Sequence, residues 1–176
     1  MLCPAEGLVL TVYSCPAGFP TIGYGHKLTE RELSSGVYSR GITRAQAEEI
    51  LDDDIGVARA AVLRHVTGLN ENQLDALTCL VYNVGEGVFL GEAPKMTAAL
   101  KEGDWETAAR EMLDINHADG KVMSCLTTRR KMEAALFLSP VVDISFDAVM
   151  SLVGLTLDGL RAEMIDFSPS SRERDG

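Results

Sequence analysis

Paired cysteines, long apolar runs, a basic leader and an excess of positive charge are all missing from this chain of 176 residues. Its four cysteines, Cys3, Cys15, Cys79 and Cys125, form no CxxC pair, which argues against both a zinc site and a dense disulfide scaffold. With 16 Lys and Arg against 26 Asp and Glu, the net charge is -10 and the pI is near 4.7. Nucleic acid is therefore excluded as the main partner, because neutralising phosphates requires clustered cations. Recognition of a neutral polymer by hydrogen bonds and ring contacts stays open. No stretch calls for a membrane span, so no integral membrane segment is expected. The opening MLCPAEG has neither the basic start nor the apolar run of a secretory signal. The expectation is a product made in the cytoplasm that acts elsewhere only after release or export. Internal repeats and low-complexity domains are absent as well.

What is present is an ordinary folding composition, 46% hydrophobic and 24% charged. That length buries a real core, as one domain or as two small lobes sharing a helix. The stretch from Glu6 to His26, EGLVLTVYSCPAGFPTIGYGH, stands out as a site pattern. Leu8 to Tyr13 has strong strand preference, Ser14-Cys15-Pro16-Ala17-Gly18 reads as a turn, and Phe19 to Tyr24 as a returning strand. The hairpin brings a carboxylic acid (Glu6), a thiol (Cys15) and a hydroxyl (Thr21) to one side of a cleft.

Downstream, residues 27–41 read as an irregular or hairpin connection. Thr43 with Gln46 is a capping-box signal opening a long helix through His65, long enough to join two lobes. Asn70 with Gln73 opens a second, with Leu74, Leu77, Leu80 and Val81 on its buried face, ending near Asn83-Val84-Gly85. Pro94 suits a first helical turn and Gly103 a stop. Asp104 caps a helix from Trp105, read as a core anchor. After a loop around Asp119-Gly120, a last helix carries Arg129 and Arg130 and ends before Pro140. Residues 145–165 step apolar side chains by three or four as an additional amphipathic helix. It suits core completion above all, and also cleft cover or self-association. The tail from Ser168 is expected to be disordered.

The order of these features resembles the phage-type lysozymes, the endolysin-like muramidases of glycoside hydrolase family 24. The resemblance rests on EGLVLTVYSCPAGFPTIGYGH, the helix from Thr43, LNENQLDALTCLVYNVGEG, EGDWETAAREML and GKVMSCLTTRRKMEAALF, covering roughly residues 5 to 138. It implies an α+β, mostly helical fold, with a small hairpin-bearing lobe and a helical lobe joined by a long helix. The lysozyme-like domain would be residues 1–138, followed by an additional helical segment at 139–167 and a tail at 168–176. It also implies cleavage of the bond between N-acetylmuramic acid and N-acetylglucosamine, by inversion, with peptidoglycan glycan strands as the partner and no cofactor or metal. Glu6 then becomes the general acid, kept protonated by burial. Thr21 falls on the family threonine, and Cys15 falls where the pattern takes Asp or Cys. Asn83 and Gly85 match an Asn-x-Gly whose amide either binds the sugar N-acetyl group or caps its helix. Arg129 contacts substrate or ties the lobe together, its neighbour Arg130 is read as solvated, and His26 as a structural partner of Asp54.

Three departures separate the chain from the pattern: only five residues precede Glu6, Ile115, His117 and Cys125 replace aromatics and a glycine, and the charge is acidic. A thiol becomes an effective base only as thiolate. Cys15 therefore points either to a slower hydrolase, in which it positions water with Thr21, or to redox control, for which Cys3 is near in sequence. A lysozyme-like wall-binding or scaffolding module with weak chemistry is the alternative reading.

Overall fold

The computed structural model describes residues 7–15, 18–118 and 120–141, and the elements below belong to the unit spanning 1–140. Glu6, Cys3, the segment 145–165 and the tail lie outside the described residues. The small lobe opens with strand β1 (Val9–Ser14), β2 (Pro20–Gly23) and β3 (His26–Lys27), an antiparallel sheet in that order. Tyr13 pairs with Thr21 and Thr21 with Lys27, so three residues, one from each strand, share one face. The register shifts between Val9 and Tyr13. Ile22, fully buried, anchors the sheet from its other face.

Helix α1 (Glu30–Ser35) follows where a connection without helix was expected. It carries the same signal as the longer helices: Thr29 caps Glu32 N, and the Glu32 carboxylate returns to Thr29 N at 2.8 Å. At six residues it is too short to show a periodic face. Its exit turn needs Gly41, whose φ is 76° and whose added Cβ would stand 2.7 Å from the Leu10 carbonyl. That carbonyl accepts from Ile42 N at 2.8 Å, closing the segment onto β1.

Helix α2 (Arg44–His65) begins at the predicted Thr43–Gln46 capping box. Its first half lays Ala47 and Leu51 against the sheet, and Gly23 fits there because its neighbour is the Ala47 methyl. Its second half inserts Ala58, Ala61 and Val62 into the main core. One helix thus serves two lobes.

Helix α3 (Glu71–Val84), capped by Asn70 with Gln73, runs through the centre of the helical lobe, packed against α2 on one side and α6 (Ser124–Leu138) on the other. Its Leu77 and Leu80 are fully buried, each contributing about 1.5–3 kcal/mol of apolar burial. A 3-10 turn (Glu86–Phe89), α4 (Pro94–Glu102) and α5 (Trp105–Met112) complete this lobe. Gly103 ends α4 in the left-handed region, and Asp104 accepts from Thr107 N to begin α5. Trp105 is half-buried, its ring edge-on to Phe137 at 6.1 Å. After α5 comes a minimal antiparallel pair, β4 (His117–Ala118) and β5 (Lys121–Val122).

Candidate functional site

A cleft of about 600 Å³ lies between the sheet and the helical lobe. The hairpin supplies Tyr13, Cys15 and Thr21, the β3 turn supplies Gly25, His26 and Lys27, and Thr29 follows from the start of α1. Asp54, Val57, Ala58 and Ala61 come from α2, and Val81 to Glu86 from the end of α3. Cys15, Thr21, His26, Asp54, Asn83 and Gly85, six of the residues singled out by sequence, therefore meet at one cavity. Arg129 does not line it. That side chain is buried along α6, with Nε 3.3 Å from Glu133 Oε1.

Cys15 and Thr21 are fastened to the same atom. The Phe19 carbonyl accepts from Cys15 N at 2.9 Å and from the Thr21 hydroxyl at 2.9 Å, while Gly18 N donates to Cys15 O at 2.8 Å. Thr21 is 2% exposed. With its proton committed to Phe19 O, Thr21 Oγ1 meets the cleft as a hydrogen-bond acceptor.

His26 sits between two carboxylates. Nδ1 lies 2.9 and 3.1 Å from the two Asp54 oxygens, and Nε2 lies 3.2 Å from Glu32 Oε1. The hydrogen bond to Asp54 raises the imidazole pKa above its usual 6.5 against the opposing effect of burial, with the Asp54 charge and Glu32 adding to the rise. Burial pushes the Glu32 carboxyl up, but hydrogen bonds from Thr29 and His26 outweigh it and leave its pKa below the usual value. The Tyr38 hydroxyl donates to Glu32 at 3.4 Å; burial, then the Glu32 charge, raises its pKa. Through these contacts the His26 ring ties β3, α1 and α2 together beside the cleft. Tyr82 adds a link from the other lobe, its hydroxyl donating to Tyr24 O at 2.7 Å.

The end of α3 is held by a buried cation. Arg130, expected at the surface, is fully buried. Its Nη2 donates to Asn83 Oδ1 at 2.6 Å and to Glu133 Oε1 at 3.3 Å, and its Nε lies 3.1 Å from Glu133 Oε2 as an ion-pair contact. The sequence concealed this because the partner is 47 positions away. Burial raises the Glu133 pKa, opposed by Arg130 and Arg129. With Oδ1 taken by Arg130, the Asn83 amide has its N–H donors to offer the cleft. At the rim, Glu86 receives His65 at 2.7 Å and Arg64 at 2.9 Å, which hold its carboxyl below the usual range. Sequence reasoning also passed over Tyr13 and Lys27. For Tyr13 the alternation of the first strand was the signal available, whereas Lys27 sits in a two-residue strand that leaves none.

Comparison with known proteins places these features in a wider set. The family model described as phage lysozyme matches residues 4–133. The endolysin of Salmonella phage P22 is 37% identical over 137 residues, covering 76% of this chain and 90% of that protein. The endolysin of Bacillus phage PZA is 38% identical over 142 residues, again 76% of this chain but half of the relative's length. Among solved structures, the muramidase domain of SpmX from Asticaccaulis excentricus superposes with a TM-score of 0.62 at 32% identity, over 77% of this chain and 90% of that one. The endolysin from Escherichia coli O157:H7 phage FAHEc1 gives 0.60 at 30% identity, over 76% and 85%.

Proposed function

The chain belongs to the phage lysozyme family, and from that premise we propose that its cleft hydrolyses peptidoglycan by inversion, with Glu6 as general acid and Thr21 and Cys15 holding the attacking water. It is a peptidoglycan hydrolase, a glycoside hydrolase of muramidase type serving host lysis, and it acts on the cell wall after release. No helix among the described residues is long and apolar enough to cross a membrane.

The chemistry divides over the two faces of the sugar. Glu6 protonates the leaving oxygen, and needs a pKa high enough to carry its proton near neutral pH. An inverting reaction then requires a water on the opposite face, with room between the acid and the group that activates it. Thr21 accepts one water proton because its own is committed to Phe19, which turns a water lone pair towards the anomeric carbon. Cys15, fixed to the same carbonyl, is the second contact, and a weaker acceptor than a carboxylate. From the facing wall, the Asn83 amide donates to the sugar's N-acetyl carbonyl, with Arg130 setting its orientation. Gly85 ends α3 and redirects the chain along the wall after Asn83, its φ of 90° being in the left-handed region. Arg129 is assigned to the helical lobe's internal ion cluster, and His26 with Asp54 to the scaffold.

The observation that carries this reading is the joint attachment of Cys15 and Thr21 to Phe19 O on the cleft wall. The test is turbidity loss of purified peptidoglycan together with release of reducing ends. Glu6→Gln should reduce both by about 100- to 10,000-fold, the usual contribution of a positioned acid. Equal clearing by variant and wild type would remove Glu6 from the mechanism.

A further inference from the structure

Among the described residues, Lys27 is the one lysine or arginine that lines the cleft, and no carboxylate pairs with it. The acidic groups around it are already matched: Asp54 by His26, and Glu86 by Arg64 and His65. A protein of net charge -10 thus presents an exposed, unmatched positive charge at the rim of its cleft. The ammonium is also held in place, with Nζ 4.9 Å from the ring centroid of Phe19, a side chain 52% exposed at the rim. A cation over an aromatic face gives up little of its hydration and keeps its outer side open to an anion.

Its position relative to the reacting centre is set by the sheet. Lys27 is the cross-strand partner of Thr21, and such partners have Cβ atoms about 4.5–5.5 Å apart on one face. A muramic acid whose anomeric carbon faces the water held by Thr21 carries its lactyl peptide only two ring carbons away. That peptide brings carboxylates, whereas the sugars themselves are uncharged in the strand.

We infer that Lys27, held over Phe19 beside Thr21, forms a subsite for a carboxylate of the peptide stem on N-acetylmuramic acid. The inference rests on the muramidase reading above and names what that site selects. The cleft then distinguishes strands with charged stems from strands with neutral stems through one ion pair at its rim, and Phe19 sets the height of the charge above the sheet.

The experiment compares two soluble substrates: uncrosslinked glycan strands with their stems, and the same strands after carbodiimide and ammonia have converted the stem carboxylates to neutral amides. Reducing-end assays give KM for each, and the readout is the ratio of KM on amidated strands to KM on strands with free stem carboxylates. Lys27→Met keeps the apolar stem over Phe19 and deletes the charge. It should lower that ratio by about two- to fivefold, the range of an exposed ion pair, and Lys27→Arg should restore it. A ratio that Lys27→Met leaves at the wild-type value, or that Lys27→Arg does not recover, overturns the subsite while the muramidase stands. If wild type releases no reducing ends from either substrate, the muramidase reading itself falls, and this inference with it.

Discussion

Replacing His26 by glutamine should destabilise the fold strongly in mild acid and weakly in mild base. The ring is largely buried between Asp54 and Glu32, with its side chain 17% exposed against 27% and 24% for the two acids. Its folded pKa is raised, chiefly by the hydrogen bond to Asp54, so the folded state binds the proton more tightly than the unfolded chain does. The resulting stability is fully present below the unfolded value of 6.5 and is lost as pH rises through the raised folded value. Glu32 behaves oppositely. Its lowered pKa contributes stability above 4.5 that is lost as pH falls through the folded value. The clamp is therefore strongest between those limits, around pH 5. One charge-assisted hydrogen bond contributes about 1.5–3 kcal/mol and a neutral one about 0.5–1.5 kcal/mol. His26→Gln should thus cost about 2–3 kcal/mol near pH 5 and about 1 kcal/mol at an alkaline pH above the raised folded value, where the neutral ring still donates to Asp54. Urea denaturation of wild type and variant at both pH values measures the difference between the two losses, which cancels titrations elsewhere in the chain. Equal losses at the two pH values, or a larger loss in base, would refute the imidazolium clamp.

Thr21→Val preserves shape and removes the acceptor oxygen, so kcat on peptidoglycan should fall by about 10- to 100-fold, while near-ultraviolet circular dichroism stays that of wild type. Cys15→Asp supplies a carboxylate on the same turn, and reducing-end release should rise above wild type; a fall would mean that the thiol, and not its position, supports the reaction. Arg130→Met leaves Glu133 buried with less compensation and should lower stability by about 3–5 kcal/mol in chemical denaturation.

Local signals were legible where the physics is local. The capping boxes at Thr43 and Asn70, the stop at Gly103 and the cap at Asp104 each depend on residues within one turn, and each is seen in the fold. The hairpin was readable from strand preference and its glycine-containing turn. Helix α1 obeys the same capping rule, but its six residues bury no side chain and leave no apolar rhythm. Arg130 eluded the sequence for a different reason. Beside Arg129 it looks like a solvated charge, and only the packing of α6 on α3 supplies the Asn83 and Glu133 partners that make its burial tolerable. The convergence of Cys15, Thr21 and Asn83 on one cavity followed from the family pattern, whereas Lys27 depended on strand register, which a two-residue strand does not announce.

The Phe19 carbonyl holds residue 15 through its backbone amide, and so is indifferent to which side chain stands there. Position 15 behaves as a socket: the main chain fixes where a reactive group is displayed, and the group itself can be exchanged without rebuilding the turn. Exchanging thiol for carboxylate at this one residue would alter the pH range and oxidant sensitivity of the catalyst while the fold that presents it stays the same.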